Sequence, residues 1–248
     1  MAQTMHAAPK HGKYGKLGPQ FPERLKSFKS YLTTALAPPP AGIDDYDGVA
    51  SWPMFGNDQY GDCTMAAAAH GIQCWNAVAK TADPVPAEKD VVAEYLKLTH
   101  GRDSGLVEAN VLKTWRRAGL WGNRIVGYAP VNVHDQITLK QTIQLFGLTY
   151  VGIQVPANAE AQFEARQPWT LVEGWQNQQI VGGHAIPFVG YDAEWLYAVT
   201  WGAVQKVAWD WWQTYGDEAW AILPQAYKEA GTVDNIDFAA LESDLSQV

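Results

Sequence analysis

The hydrophobic positions divide the chain into a first part with helical spacing and a second part of short runs typical of strands. Apolar residues three and four positions apart predict helices over 63–80, 88–101, 108–122 and 138–147. Aromatic and β-branched runs between turn residues predict strands over 148–156, 184–192, 195–202, 204–212 and 219–224. Helices followed by a block of strands favour an α+β fold with a largely antiparallel sheet.

A proline-rich segment marks the clearest boundary in the chain. Three consecutive prolines in "ALAPPPAGIDDYDG", residues 35–48, interrupt any regular element because proline fixes φ and restricts the residue before it. Residues 1–40 therefore form a predicted N-terminal arm. Within it, the apolar residues of segment 22–36 lie near one face of a helix, which predicts one short amphipathic helix.

Charge is distributed unevenly along the 248 residues. The formal net charge is −8, but the arm carries six Lys or Arg against one Glu, so the remainder carries −13. A sparse basic arm on an acidic body argues against a nucleic-acid partner. The chain shows neither an apolar run long enough to cross a membrane nor a signal-peptide pattern at its start, so we expect a soluble cytoplasmic or virion-associated protein.

The two cysteines do not form a disulfide with each other. If 63–80 is helical, the offset of eleven positions from Cys63 to Cys74 separates them by roughly 16 Å. Both are expected to be free thiols, as in a reducing compartment. Most of the twelve tryptophans fit core positions, whereas "WDWW", 209–212, would face both sides of a strand and expose at least one ring.

The stretch "NDQYGDCTMAAAAHG", residues 57–71, places a thiol at the start of a helix. Gly61 permits a sharp turn, Asp62 can cap the helix through its side chain, and Cys63 then takes the first helical position. A helix N-terminus and a nearby imidazolium both lower a thiol pKa, which is what a nucleophile requires. The alternative is a small buried residue, a common state for free cysteine.

A histidine from the second half could complete such a site. His184 follows two glycines in "VGGHAIPFVGYD", at the start of a predicted strand, and could face Cys63 across the junction of helices and sheet. Taken alone it could equally be structural. His70 lies about 10 Å further along the predicted helix, out of hydrogen-bond reach of Cys63, and is expected in the core or the cleft floor. No metal-binding or nucleotide-binding motif is present, so we expect no metal and no cofactor.

Four segments in a fixed order resemble the papain-like cysteine peptidase superfamily, including its bacterial and phage members. They are "IDDYDGVASWPMFGNDQYGDCTMAAAAHGI", "GLVEANVLKTWRRAGLW", "TLKQTIQLFGLTYVGIQVP" and "GGHAIPFVGYD…WLYAVTWG". The resemblance implies a papain-like domain over 41–223, with a helical half packed on a mainly antiparallel β-sheet half. The arm over 1–40 and an acidic C-terminal tail over 224–248 lie outside it.

The resemblance also implies roles for individual residues. Cys63 would be the nucleophile and His184 its general base. Asn57 stands where the family has an oxyanion-binding glutamine, and Gln59 is the alternative if the loop is two residues shorter. The substrate cleft would include three further residues: Gly105, Gly183 and Trp201.

The sequence departs from the family at the third catalytic position. An Asn or Asp is usual just before the "W-G" pair, but this chain has Val199 and Thr200 there. Thr200 could hydrogen-bond the His184 ring, although it would stabilise an imidazolium less than a carboxylate does. Asp192 and Glu194 could substitute only if the chain folds back.

These features support three functional hypotheses. The first is a thiol hydrolase that cleaves peptide or isopeptide bonds of a protein substrate. The second keeps the fold without the chemistry, as a structural or interaction protein such as a phage virion component, with the arm making assembly contacts. The third adds that the arm is an intramolecular inhibitor of the hydrolase.

Overall fold

The computed structural model describes residues 12–44, 46–79, 84–229, 231 and 234–248. The first eleven residues of the arm, Lys80 at the end of the first predicted helix and three tail residues lie outside the described residues. The helices are α1 Cys63–Ala79, α2 Glu88–Leu98, α3 Glu108–Arg117, α4 Gln136–Phe146, α5 Ala157–Glu164, α6 Trp209–Tyr215, α7 Gln225–Glu229 and α8 Phe238–Leu245. The strands are β1 Ile125–Pro130, β2 Thr149–Pro156, β3 Ile180–Tyr191, β4 Trp195–Thr200, β5 Ala203–Ala208 and β6 Gly216–Pro224. Within these ranges, every helix is too short or too polar to cross a membrane.

The strands form one six-stranded sheet in the order β1-β6-β2-β3-β4-β5, with every neighbouring pair antiparallel. The predicted α+β architecture, with helices packed on an antiparallel sheet, is confirmed. Strand β1 is an addition, since it lies between helices in the chain and its six residues gave no separate strand signal.

Helix α1 is the central helix of the fold and packs on β3. Residues 63–72 are all buried, and the run of four alanines lets the helix backbone approach the sheet closely. The Tyr150 hydroxyl on β2 donates a hydrogen bond of 2.6 Å to the Thr64 carbonyl oxygen in the first turn. The start of α1 is thereby held against the sheet.

Three local predictions are wrong, each because tertiary contacts outweigh local pattern. Segment 22–36 forms only a 3-10 turn, Phe28–Tyr31, whose Phe28 ring packs edge-on against Phe146 of α4. The "WDWW" run opens α6 rather than continuing a strand, which buries Trp211 and Trp212 completely. His184 lies inside β3, since that strand begins four residues earlier than predicted.

The C-terminal part of the arm and the tail pair with each other beside β1. The Asp237 amide donates to the Tyr31 carbonyl oxygen at 2.7 Å, and the Thr33 amide donates to that of Asn235 at 2.9 Å. The Tyr31 hydroxyl donates to the Asp244 carboxylate on α8 at 2.9 Å. Arm and tail thus pack against the body here, and the division into 1–40, 41–223 and 224–248 stays a prediction.

Candidate active site

Cys63 is the first residue of α1, as the sequence predicts. The cap differs from the prediction, because the Asp62 backbone carbonyl accepts from the Met65 and Ala66 amides at 2.7 and 3.0 Å. Within the described ranges, the Asp62 side chain accepts no hydrogen bond from the helix amides, and burial raises the pKa of its carboxyl to about 8. The turn before α1 therefore aims the Cys63 side chain into the fold rather than into solvent.

His184 reaches the same place from the sheet. Its Nε2 lies 2.8 Å from the Thr200 hydroxyl oxygen at the end of β4, the distance of a good hydrogen bond. Its Nδ1 has no hydrogen-bond partner among the described residues. The ring also lies against the indole of Trp201, with centroids 4.9 Å apart. Thr200 thus contacts one edge of the imidazole and Trp201 one face, and Nδ1 remains able to exchange a proton with another group.

A small cavity of about 10 Å³, room for one water molecule at most, lies between α1 and the sheet. Cys63, His184, Asn57 and Thr200 all line it. Two groups far apart in the sequence, the thiol and the imidazole, therefore meet at one cavity.

Asn57 is buried beside this cavity, while Gln59 is exposed to solvent. The Asn57 side-chain amide donates to the Lys13 carbonyl oxygen at 3.0 Å and to the Tyr60 carbonyl oxygen at 3.2 Å. The placement favours Asn57 over Gln59 as the side chain that reaches the candidate site. One of its two N–H groups is directed at a carbonyl of the arm.

Residues 12–17 of the arm run through the cleft directly above Cys63. The Leu106 amide donates to the Gly15 carbonyl oxygen at 2.8 Å, the Leu17 amide donates to that of Leu106 at 3.0 Å, and the Lys16 amide donates to that of Gly183 at 3.2 Å. The arm therefore pairs with both predicted cleft walls, the one that follows Gly105 and the one that precedes His184. No sequence pattern predicted this contact.

Glycine is required where the arm passes closest. A Cβ on Gly15 would lie 1.6 Å from the Gly61 carbonyl oxygen, and one on Gly105 would lie 2.3 Å from the Gly15 carbonyl oxygen. Both distances are far below any van der Waals contact. Further along the arm, a Cβ on Gly18 would meet no atom within 4 Å.

Tyr14 of the arm packs against the imidazole of His184. Its ring stands edge-on to the rings of His184, at 6.1 Å between centroids, and Trp201, at 6.0 Å. Its hydroxyl donates a short hydrogen bond to Glu160 on α5. With the arm in this position, the cleft is closed over both reactive groups.

Burial keeps both groups uncharged in the closed structure. Burial raises the pKa of the Cys63 thiol to about 12, although the amides of Ala185 and Gly15 beside the sulfur act in the opposite direction. Burial likewise lowers the pKa of the His184 imidazole to about 3. A thiolate–imidazolium pair is therefore strongly disfavoured while the arm covers the site.

The side chain of Lys16 enters a separate pocket next to this site. It is completely buried, and its Nζ lies 2.9 Å from Asp217 Oδ1 and 2.9 Å from Glu218 Oε1. Burial opposes the charged form, but the carboxylates of Glu108, Glu218 and Asp217 outweigh it, so the pKa of Lys16 is raised. No pattern in the sequence predicts this pocket, because its acids lie on α3 and β6, more than a hundred residues apart.

The remaining candidates have no direct contact with Cys63. His70 is buried, as expected, and its Nε2 lies 2.8 Å from the Pro53 carbonyl oxygen, although its side chain also lines the small cavity. Cys63 and Cys74 are both free and buried, which confirms that they do not pair. Asp192 accepts from the Trp195 and Glu194 amides in the β3–β4 turn, so neither acid takes the place of Thr200 beside His184. Across the described ranges, no cluster of three or more His, Cys, Asp or Glu side chains could hold a metal ion.

Solved structures with the same fold are cysteine proteases. The chain is similar to xylellain, a cysteine protease from Xylella fastidiosa, with 16% identity over 89% of this chain and 99% of that one and a TM-score of 0.66. It is similar to procathepsin B S9 from Trypanosoma congolense, with 11% identity over 86% of each chain and a TM-score of 0.58. It is also similar to the Carica candamarcensis cysteine protease CMS1MS2, solved in complex with E-64, with 11% identity over 74% and 98% of the two chains and a TM-score of 0.51.

These likenesses establish the class of fold: the chain adopts the papain-like cysteine protease fold, as the motifs predicted. The identities are low, so the shared feature is the fold alone. No protein-family model matches the sequence, and no curated protein matches it.

Proposed function

We propose that the protein is a papain-like thiol hydrolase that cleaves peptide bonds through Cys63 and His184. The observation that carries the proposal is the shared cavity between the start of α1 and β3, where the thiol and the imidazole meet beneath a closed cleft. The fold supports it, because papain-like cysteine proteases have the same architecture. Isopeptide bonds present the same amide group and fall within the same chemistry.

In the proposed reaction, His184 takes the thiol proton and the Cys63 sulfur attacks the carbonyl carbon of the scissile amide. The amide N–H groups of Asn57 and of the Cys63 backbone would stabilise the tetrahedral oxyanion. His184 then returns the proton to the leaving amine, which leaves a thioester on Cys63. Water activated by His184 hydrolyses the thioester and restores the thiol.

Thr200 is proposed as the residue that positions His184. Thr200→Val keeps the side-chain shape but removes the hydroxyl, which leaves the imidazole Nε2 without its 2.8 Å partner. We expect the free energy of unfolding to fall by about 1–3 kcal/mol, since a buried polar atom loses its hydrogen bond. We also expect kcat to fall while KM changes little. Urea denaturation and steady-state kinetics test both effects, and an unchanged kcat would remove Thr200 from the site.

The arm is proposed to inhibit the hydrolase within the same molecule. It closes the cleft over Cys63 and His184. Its Lys13 carbonyl oxygen accepts a hydrogen bond from the Asn57 side-chain amide, the group that would bind the oxyanion. The pairing of residues 15–17 with both cleft walls supports an inhibitory role for the arm. A peptide library digested by the arm-released protein, with products identified by mass spectrometry, tests the hydrolase. No cleavage of any peptide would overturn it.

The hold of the arm on the cleft is expected to depend on pH. Protonation of His184 favours arm release, because burial lowers its pKa to about 3 in the closed state, below the usual value of about 6.5. Ionisation of Cys63 also favours release, since its closed-state pKa is about 12. The arm should therefore be held best between about pH 6.5 and 8.5 and less well on either side. Hydrogen exchange of the residue 15–17 amides, measured from below pH 6 to above pH 8.5, tests the effect. Protection from exchange that does not fall below pH 6 would contradict it.

The alternative is a protein with this fold and no activity. The observation that favours it is the hydroxyl of Thr200 in place of the usual carboxylate or amide, because a hydroxyl stabilises an imidazolium less. The two functions differ in the reactivity of the Cys63 thiol once the arm has left the cleft. Only the hydrolase requires a thiol that ionises easily.

A further inference from the structure

The pocket around Lys16 is built for a cation. Three acidic side chains from two elements converge on it: Glu108 at the start of α3, and Asp217 and Glu218 on β6. Glu108 and Glu218 are completely buried. Acidic side chains are almost never fully buried without a partner, because desolvation of a charge is costly. Burial raises the pKa of both Glu108 and Glu218, and the Lys16 ammonium acts in the opposite direction. A cation inside the pocket therefore favours the charged form of these carboxyl groups.

The pocket has more acceptor capacity than Lys16 uses. The Lys16 ammonium contacts Asp217 and Glu218, and it also donates to the Leu17 carbonyl oxygen at 3.3 Å. Both carboxyl oxygens of Glu108 are buried without a hydrogen-bond partner among the described residues. The pocket therefore contains carboxyl oxygens that Lys16 leaves unused.

The pocket also has the shape for a long, unbranched stem. Gly152 of β2 lies along its wall, and a Cβ there would come within 1.9 Å of Lys16 Cε. The indole N–H of Trp220 donates to the second oxygen of Glu218 at 3.0 Å, which fixes the orientation of that carboxylate. The carboxylate that binds the ammonium group is therefore preorganised. The space along Gly152 accommodates the four methylene groups of a lysine side chain.

The backbone of Lys16 lies where an extended peptide would lie in the proposed active site. Its amide donates to the Gly183 carbonyl oxygen, immediately before His184, and its neighbours pair with Leu106 on the opposite wall. The preceding residue, Gly15, passes over the Cys63 sulfur. A substrate chain paired with the same two walls would send a side chain into this pocket.

We infer that this acidic pocket makes the proposed hydrolase select peptide substrates with a lysine, or a similarly cationic side chain, close to the cleaved bond. Lys16 of the arm would occupy it as an internal stand-in for that side chain. The inference rests on the proposed function, because it calls the bound peptide a substrate. The cation selectivity of the pocket can nevertheless be measured without turnover.

The first experiment measures binding alone. The host is the full chain with Gly15→Val, which frees the cleft, and Cys63→Ala, which prevents turnover. The probes are fluorescein-labelled peptides of residues 12–21, one with lysine at position 16 and one with norleucine, which has a similar stem and no charge. We expect the lysine peptide to bind at least about 10-fold more tightly, since an unpaired buried carboxylate is costly. Equal affinity for the two peptides would overturn the inference.

A carboxylate variant and a matched control assign the selectivity to the pocket. Glu218→Gln in the same host should reduce the preference for lysine to nearly one, whereas Glu173→Gln, which removes a charge from an exposed loop, should leave it unchanged. If Glu218→Gln fails to fold, Asp217→Asn serves the same purpose at a less buried position. A preference that survives the loss of either carboxylate would overturn the inference.

The second experiment measures turnover with the Gly15→Val chain that retains Cys63. Fluorogenic peptides carry lysine or norleucine at one position at a time around the cleaved bond. At one position, kcat/KM should be at least about 10-fold higher for lysine. Cleavage without a lysine preference at any position overturns the inference and leaves the hydrolase standing. Selective binding of the lysine peptide without cleavage of any peptide supports the preference of the pocket for a cation and overturns the hydrolase proposal.

Discussion

Replacement of Cys63 by alanine is expected to abolish peptide hydrolysis and leave the fold intact. Loss of a catalytic nucleophile costs on the order of 10⁶-fold in kcat, because no other group at the site can form the covalent intermediate. The change removes one buried sulfur atom, so we expect the free energy of unfolding to fall by only about 1 kcal/mol. Steady-state kinetics on arm-released protein and urea denaturation measure the two quantities.

Cys74 provides a matched control for this variant. It is the second buried free thiol, on the same helix as Cys63 but three turns further along it. Cys74→Ala should cost similar stability and retain full kcat. Residual hydrolysis in Cys63→Ala equal to that of Cys74→Ala would show that Cys63 is not the nucleophile.

Gly15→Val is expected to expel the arm from the cleft and to activate the Cys63 thiol. Any side chain at this position meets the Gly61 backbone at 1.6 Å, and backbone atoms have little freedom to move aside. With the arm gone, the thiol regains water, and its pKa should fall from about 12 to 8.5 or below. At pH 7.5 this change alone raises the thiolate fraction by about 10³-fold, and the rate of alkylation should rise accordingly.

Iodoacetamide labelling followed by mass spectrometry of the Cys63 peptide measures this rate. Gly18→Val is the control, because a side chain there meets no atom within 4 Å and should leave the arm in place. Cys74 in the same molecule reports any general loosening of the fold. If Gly15→Val and wild-type protein react equally slowly, the arm does not control the thiol. If the released Cys63 thiol reacts appreciably only above about pH 8, as an unperturbed cysteine does, the inactive alternative is favoured.

The sequence predicted those parts of the site that depend on local spacing. A glycine and an aspartate before an alanine-rich run placed Cys63 at the start of a helix. Thr200 follows His184 by sixteen positions, across one β-hairpin, so the resemblance could align the two before the hydrogen bond between them was known. The free state of both cysteines followed from helix geometry alone.

The parts that the sequence did not predict depend on contacts between distant segments. Segment 22–36 has helical spacing, but burial of Phe28 and Tyr31 between α4 and the tail holds it in a short turn instead. The packing of Trp211 against Trp169, with centroids 4.9 Å apart, favours a helix over the strand that its local pattern suggested. In the sequence, Lys16 is one of six scattered basic residues of the arm. The residues next to it in the chain do not predict that its side chain lies among three acidic side chains of α3 and β6.

The pairing of residues 31–33 with residues 235–237 determines what happens to the arm after it leaves the cleft. The inhibitory stretch would remain tied to the body, with only about fourteen residues between Leu17 and this anchor, a span of at most about 50 Å. A short tether keeps the local concentration of its free end in the millimolar range, so rebinding would compete with any substrate. Opening in the uncut chain would therefore be transient, and permanent activity would require scission of the backbone between Leu17 and the anchored turn.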